Sequence, residues 1–182
     1  MNIGKLRDIE DHELELMLSW RNAPNVRANM YTRHEITLEE HKSWWERIRH
    51  DPRHQYRMFE EQGLPLGIVA FVNIDKPNGH SSWAFYASPD APRGTGSKME
   101  FLALDYAFGA LALHKLHCEV LDFNTAVISL HKKFGFVVEG VLRQQHFVDG
   151  RYADIYSLGL LHDEWEQQRP LLQKKLELHA GK

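Results

Sequence analysis

Cysteine is almost absent from this chain: Cys118 is the only one in 182 residues, which excludes an intrachain disulfide. It lies in an apolar, strand-like run and is expected to be a small buried hydrophobe. No apolar run reaches membrane-spanning length, and the N-terminus lacks a secretory-leader pattern. The expected setting is therefore reducing and cytoplasmic, with no membrane partner. An excess of one charge is missing too. The net charge of -3 offers no general surface for nucleic acid. No Cys-x-x-Cys or His-Glu-x-x-His pattern occurs, and the 12 histidines are scattered. His50 and His54 are four apart, but Pro52 between them disfavours one continuous helix. No metal site is expected.

What is present is a glycine-rich turn, Pro92-Arg93-Gly94-Thr95-Gly96-Ser97-Lys98, between an extended run ending at Tyr86 and a helical pattern from Met99 to Leu113. Glycines let a backbone approach an anion closely, and the free N–H groups of a first helical turn point at it. The helix dipole adds roughly half a positive charge there. A Walker loop is excluded, because no Gly-Lys-Ser/Thr ending follows four intervening residues. A dinucleotide fingerprint is disfavoured, because Met99 stands where its third glycine belongs. An ordinary loop is the competing reading.

The length suits one domain over residues 1–182 with a substantial core. Ile3 to Ile9 reads as an edge strand, and Asp11 as the cap of a helix carrying Leu14, Met17 and Leu18, broken at Asn22-Ala23-Pro24-Asn25. Thr37 and Glu40 form a capping-box pattern for a helix running to about His50. Its Trp44 and Trp45 are expected in the core. Strands follow over Tyr56–Glu61, Leu64–Asn73 and up to Ala87, then the glycine turn and its helix, a strand over Lys115–Asp122, and a helix from Asn124 that stops at Gly135. Phe136–Val148 and Arg151–Leu161 flank Asp149-Gly150, a hairpin signal, and a charged helix over Glu164–Leu178 closes the chain. Meander strands feeding a right-handed βαβ crossover give a mixed α/β sheet. A ligand would enter beside the glycine turn, where the parallel strands splay.

Two blocks in this order resemble the GNAT acyl-CoA N-acyltransferase family. Ala91-Pro92-Arg93-Gly94-Thr95-Gly96 is similar to Gln/Arg-x-x-Gly-x-Gly/Ala, departing at Ala91. Asn124 to Phe136 is similar to Asn-x-x-Ala-x-x-x-Tyr-x-Lys-x-Gly-Phe, departing at His131, where the family places a tyrosine. The resemblance implies the GNAT fold: about seven strands, mostly antiparallel, with a splayed parallel pair and helices on both faces. It implies acetyl-CoA as co-substrate. Glu139-Gly140, Asp149-Gly150 and Asp154 look like the subset that acetylates protein N-termini, polyamines and sugar nucleotides. The block from Trp20 to Tyr31, followed by Ile36 to His41, narrows it further. It resembles the enzymes that acetylate the 4-amino group of a UDP-4-amino-4,6-dideoxy sugar in pseudaminic acid biosynthesis, which supplies flagellin glycosylation. The rivals are an acetyltransferase for protein N-termini or polyamines, and a non-catalytic acyl-CoA-binding module.

By this resemblance the pyrophosphate rests on the backbone of Arg93, Gly94, Thr95, Gly96 and Ser97, with charge from Arg93 and Lys98, and Asn124 belongs to the same cofactor site. The pantetheine arm pairs with Phe85, Tyr86 and Ala87 like an added strand. Glu119 is the expected general base, pointing opposite to Cys118 and Val120. His131 is the expected acid for the departing thiolate, since imidazole titrates near about 6.5 and phenol near about 10. Arg21 and His41 are expected at a nucleotide diphosphate or uridine, and Met30, Tyr31, Asn73 and Tyr86 at the sugar. The terminal helix can cover its own sheet or a second subunit, giving a homodimer.

Overall fold

The computed structural model describes residues 3–179. One seven-stranded sheet has the order β1-β2-β3-β4-β5-β7-β6. The strands are β1 (Lys5–Arg7), β2 (His54–Glu61), β3 (Leu64–Asp75), β4 (His80–Ala87), β5 (Lys115–Leu121), β6 (Val137–Val148) and β7 (Arg151–Leu161). Every neighbouring pair is antiparallel except β4 with β5. The helices are α1 (Leu14–Asn22), α2 (Pro24–Arg27), α3 (Leu38–Ile48), α4 (Thr95–Asp105), α5 (Thr125–Lys133) and α6 (His162–His179).

The expected α/β sheet with one parallel pair is the observed one. Alternation sorts β2, β3 and β4 between two cores, and a smaller third cluster of Leu121, Val148, Ala153 and Ile155 lies at the β6–β7 hairpin. On one face Met17 and Trp20 of α1 and Trp45 of α3 pack on Met58 and Ile68, with Tyr86 at the margin. On the other, Met99, Phe101 and Leu104 of α4, Ile128 of α5, and Trp165 and Leu172 of α6 pack on Val69, Phe71, Trp83, Leu116 and Cys118. The α4 helix lies close to β3 because Gly67 has no side chain; a Cβ there would stand 2.7 Å from Met99 Sδ and 2.9 Å from the Tyr86 carbonyl oxygen. No described helix is long and apolar enough to cross a membrane.

Local signals held where side chains decide the backbone. Thr37 and Glu40 form the reciprocal capping box. Asp149 and Gly150 both have positive φ, as a tight hairpin turn requires, and Gly135 ends α5 at φ 97. Three readings need correction. The N-terminal cap is Glu10, whose box with Glu13 opens a 3-10 turn at Asp11–Glu13 ahead of α1. The break after Asn22 holds a short helix of its own, because Ala23 is extended and Pro24 suits a first helical position. The helix after the glycine turn stops at Asp105 and widens into one π turn over Tyr106–Ala110 before Ala112 turns left-handed.

Arg7 fastens the edge strand. Its guanidinium donates to both oxygens of Glu13, at 2.6 and 2.8 Å, and to Glu60 at 2.6 Å. The Arg7 hydrogen bond is the main reason both carboxylates lie below their usual range. A lowered folded-state pKa stabilises above the unfolded value and is lost as pH falls through the folded one. Arg7→Ala strands the buried Glu13 and is expected to cost about 3 kcal/mol at neutral pH. Thermal melts from about pH 7 to about pH 3 should show a shallower acid-side loss for the variant than for the unaltered protein. Equal slopes would remove Arg7 from this role.

Candidate active site

The parallel pairing of β4 and β5 covers three residue pairs: His80 with Lys115, Ser81 with Leu116 and Ser82 with His117. Beyond them β4 stays on β3 through Ala87, while β5 follows β7 through Leu121. A gap therefore opens inside the sheet, starting at Trp83 and Cys118. The Ser88 N–H bonds the Leu66 carbonyl at 2.8 Å. That fixes the phase of the antiparallel ladder, so Ala84 and Tyr86 address β3. The backbone groups of Phe85 and Ala87 then point into the gap, an open strand edge of the kind an extended ligand can pair with.

At the head of the gap stands the glycine turn. Gly94 caps α4 with φ 95, a conformation that a residue with a Cβ adopts only under strain, and space around it is open. Thr95 N–H and Thr95 Oγ1 both bond the Pro92 carbonyl, at 3.1 and 2.7 Å, and Ser97 N–H bonds the Gly94 carbonyl at 3.1 Å. Among the described residues the amides of Arg93, Gly94 and Gly96 have no acceptor in the chain. The expected cradle thus narrows to three free amides, with Thr95 and Ser97 shaping the turn. Exposed Arg93 stands beside them. Lys98, expected to add charge, instead pairs with Glu61. Asn124 is half-buried at the start of α5, with no side-chain cap bond. Free amides, an open glycine and an unpaired strand edge fit a diphosphate followed by an extended amide-bearing arm.

The two faces of the gap differ chemically. On the α1–α3 face, Tyr31 Oη donates to Glu119 Oε2 at 3.0 Å, joining the loop after α2 to β5. Burial first, then the Glu119 carboxylate, pushes the Tyr31 phenol up, so it stays a donor. The Tyr31 ring also lies 5.2 Å from His146 of β6, a neighbour that sequence reasoning missed because β6 shifts register between Leu142 and His146. Arg21 is half-buried; its Nη2 donates to the Thr32 carbonyl at 3.0 Å and its Nη1 has no partner among the described residues. Its charge acts on half-buried Tyr86, whose phenol is pushed well up by desolvation, and on His41. Met30 is half-buried in the loop between.

Two expectations fail on this face. His41 is 4% exposed, stacked on Trp44, with Nε2 enclosed. Burial and the Arg21 charge lower its pKa, so it is a neutral core imidazole and not an open ligand contact. Asn73 is an exposed, left-handed residue (φ 55) at a β3 bulge. It sits beyond the paired Val72 and Ser82, away from the gap, beside Arg53 and Pro77.

On the opposite face His131 is 3% exposed, and its Nδ1 lies 2.9 Å from Oε1 of Glu100, which is fully buried. Its ring packs against Trp83, Phe85 and Phe136, at centroid distances of 5.2, 6.0 and 5.1 Å. Glu100 was not legible as a site residue, because only the folded chain brings α4 and α5 together there. Replacing Gly94 with Val forces a branched side chain into the left-handed turn and tilts the free amides. Calorimetric affinity for coenzyme A should fall at least about tenfold, about 1.4 kcal/mol, with the fold intact by circular dichroism. Unchanged affinity would place the diphosphate elsewhere.

The pattern of the acetyltransferase (GNAT) domain matches residues 5–137. Spermidine N(1)-acetyltransferase of Escherichia coli (strain K12) is 25% identical over 162 residues, covering 88% of this chain and 87% of the relative. Acetyltransferase PseH of Campylobacter jejuni (strain 81-176) is 26% identical over 138 residues, covering 76% and 85%. The crystal structure of spermidine N-acetyltransferase from Vibrio cholerae in complex with CoA and spermine superposes with a TM-score of 0.83 at 25% identity, covering 88% of this chain and 96% of that one. The co-substrate is acetyl-CoA, and the protein is an acyltransferase. With most of its length matched in sequence and its sheet matched in space, the chain belongs to the GNAT acetyltransferase family.

Proposed function

We propose that the acceptor is the primary amine of an anionic sugar nucleotide: the 4-amino group of a UDP-amino-dideoxy sugar, as in pseudaminic acid biosynthesis. The observation that carries this reading is electrostatic. Residues 16–34, which include the acceptor-side loop, hold Arg21, Arg27 and Arg33 and no Asp or Glu. Arg27 and Arg33 have carboxylate partners in Glu35 and Asp149, whereas Arg21 has none among the described residues. An unpaired guanidinium behind Tyr31 attracts a diphosphate and repels a polyamine. The resemblance to PseH agrees with this. The similarity to spermidine N(1)-acetyltransferase supports the rival acceptor, a polyamine.

The chemistry joins a neutral amine to a thioester carbon. Glu119 takes the ammonium proton, directly or through water, with Tyr31 orienting its carboxylate. The amides of Arg93, Gly94 and Gly96 and the open edge at Phe85 and Ala87 hold and aim the donor. His131 gives a proton to the departing thiolate from the other face of the sheet. Acetyl-CoA supplies the activated acyl group when bound.

Thiol release with acetyl-CoA, against a panel of a UDP-4-amino-4,6-dideoxy sugar, spermidine and an N-terminal peptide, tests the acceptor. Release with the sugar nucleotide and not with spermidine is expected. Arg21→Ala should raise the KM for the sugar nucleotide about tenfold and leave that for acetyl-CoA unchanged. Preference for spermidine, or an unchanged sugar-nucleotide KM, contradicts the reading.

A further inference from the structure

Glu100 is a fully buried carboxyl group with no role in the steps above. It lies in the second turn of α4, the helix whose N-terminus carries the amide cradle. Its Oε1 meets His131 Nδ1 at 2.9 Å, and its Oε2 has no partner among the described residues. The pair stands under the vertex of the gap. The His131 ring touches Trp83, the first β4 residue past the parallel stretch. Cys118, the first such residue of β5, feels the Glu100 charge. Few ionisable groups face this pair. Glu100 comes from α4 and Cys118 from β5, β4 contributes only Trp83 and Phe85, and Phe136 closes the side toward β6. Lys132 and Lys133 on α5 itself are exposed.

Burying a lone carboxylate in such surroundings is costly, so a net-neutral carboxyl–imidazole pair is the tolerated state. Burial accordingly pushes Glu100 upward, against the pull of His131. Two proton arrangements are net neutral: a carboxylic acid donating to Nδ1, or a carboxylate accepting from an imidazolium. Nε2 carries a proton in both.

We infer that Glu100 is a positioning residue for thiolate protonation: it holds His131 with Nε2–H directed away from it and leaves a proton on Nδ1 when Nε2 gives its own to coenzyme A. As the N–C bond forms and the C–S bond breaks, the Nε2 proton goes to sulfur. The carboxyl proton moves to, or stays on, Nδ1. A neutral imidazole and a carboxylate remain, to be reprotonated from solvent. Glu119 passes the ammonium proton to water before attack and then takes the second proton that nitrogen loses as the amide forms, so that from the ammonium one proton in net goes to solvent. Net proton count is conserved, and no oxidant or metal takes part. The assignment rests on His131 as the acid and is independent of which amine is acetylated.

The test uses the full chain, acetyl-CoA, and whichever amine of the panel releases thiol fastest, over about pH 6 to about pH 9. Glu100→Gln keeps a hydrogen-bonding group and removes the proton. It should lower kcat about tenfold or more with the acetyl-CoA KM within about twofold, and move the alkaline limb of kcat down by about one pH unit. His131→Gln should abolish that limb, and the double variant should be no slower than His131→Gln alone. A Glu100→Gln kcat within about twofold of the unaltered enzyme, an unmoved limb, or losses that multiply in the double variant would overturn the assignment. An unaffected His131→Gln enzyme would overturn it too, leaving the acceptor reading intact. Should Glu100→Gln not fold, imidazole nitrogen resonances of the unaltered protein decide: Nε2 protonated and Nδ1 hydrogen-bonded supports the assignment, and a bare Nε2 contradicts it.

Discussion

Everything in the site depends on how briefly β4 and β5 run together. Three paired residues hold them parallel, and antiparallel partners on either side then pull them apart. A sheet normally leaves no unpaired main chain inside itself. Here β3 and β7 are each well matched to one strand of the diverging pair, so the stability of the two half-sheets sustains the gap. The open edge at Phe85 and Ala87 is the cost, and in the proposed function the extended arm of the donor offsets it. The glycine turn lies at the mouth of the same gap because β4 leads directly into α4.

In the proposed mechanism the gap also separates two protonation tasks. Glu119 with Tyr31 occupies the face under α1 and α3. His131 with Glu100 occupies the face under α4 and α5. An amine can lose a proton on one side while sulfur gains one on the other, without the two groups neutralising each other. Strand alternation produces this division: on β5, Cys118 and Glu119 are adjacent in sequence yet serve opposite faces. The Glu119 side is open to solvent, and the His131 side is dry. On the proposed mechanism, a proton taken up by Glu119 leaves to water and one held by His131 is kept for the thiolate.

Sequence legibility followed the range of the interactions. The capping box at Thr37, the hairpin at Asp149-Gly150, the stop at Gly135 and the glycine turn are set by residues a few positions apart, and each took its expected form. The core placement of Trp45 followed from helical spacing. What stayed hidden was long-range. Tyr31 finds Glu119 across 88 positions and His131 finds Glu100 across 31. His41, expected at the ligand, instead has the Trp44 ring stacked on it and meets the Leu14 backbone of α1. Lys98 follows the glycine turn in sequence, but its helical direction brings it to Glu61 of β2. Asn73 reads as a strand residue, and only its left-handed backbone reveals the bulge that removes it from the site.

The central claim is that acetyl-CoA completes the sheet along the free edge of β4. Amide hydrogen exchange with and without the coenzyme tests it most directly. The account predicts new protection at Phe85 and Ala87, together with Gly94 and Gly96, and little change at Ala84 and Tyr86, whose amides already bond β3. Protection that falls elsewhere while Phe85 and Ala87 exchange as before would contradict it.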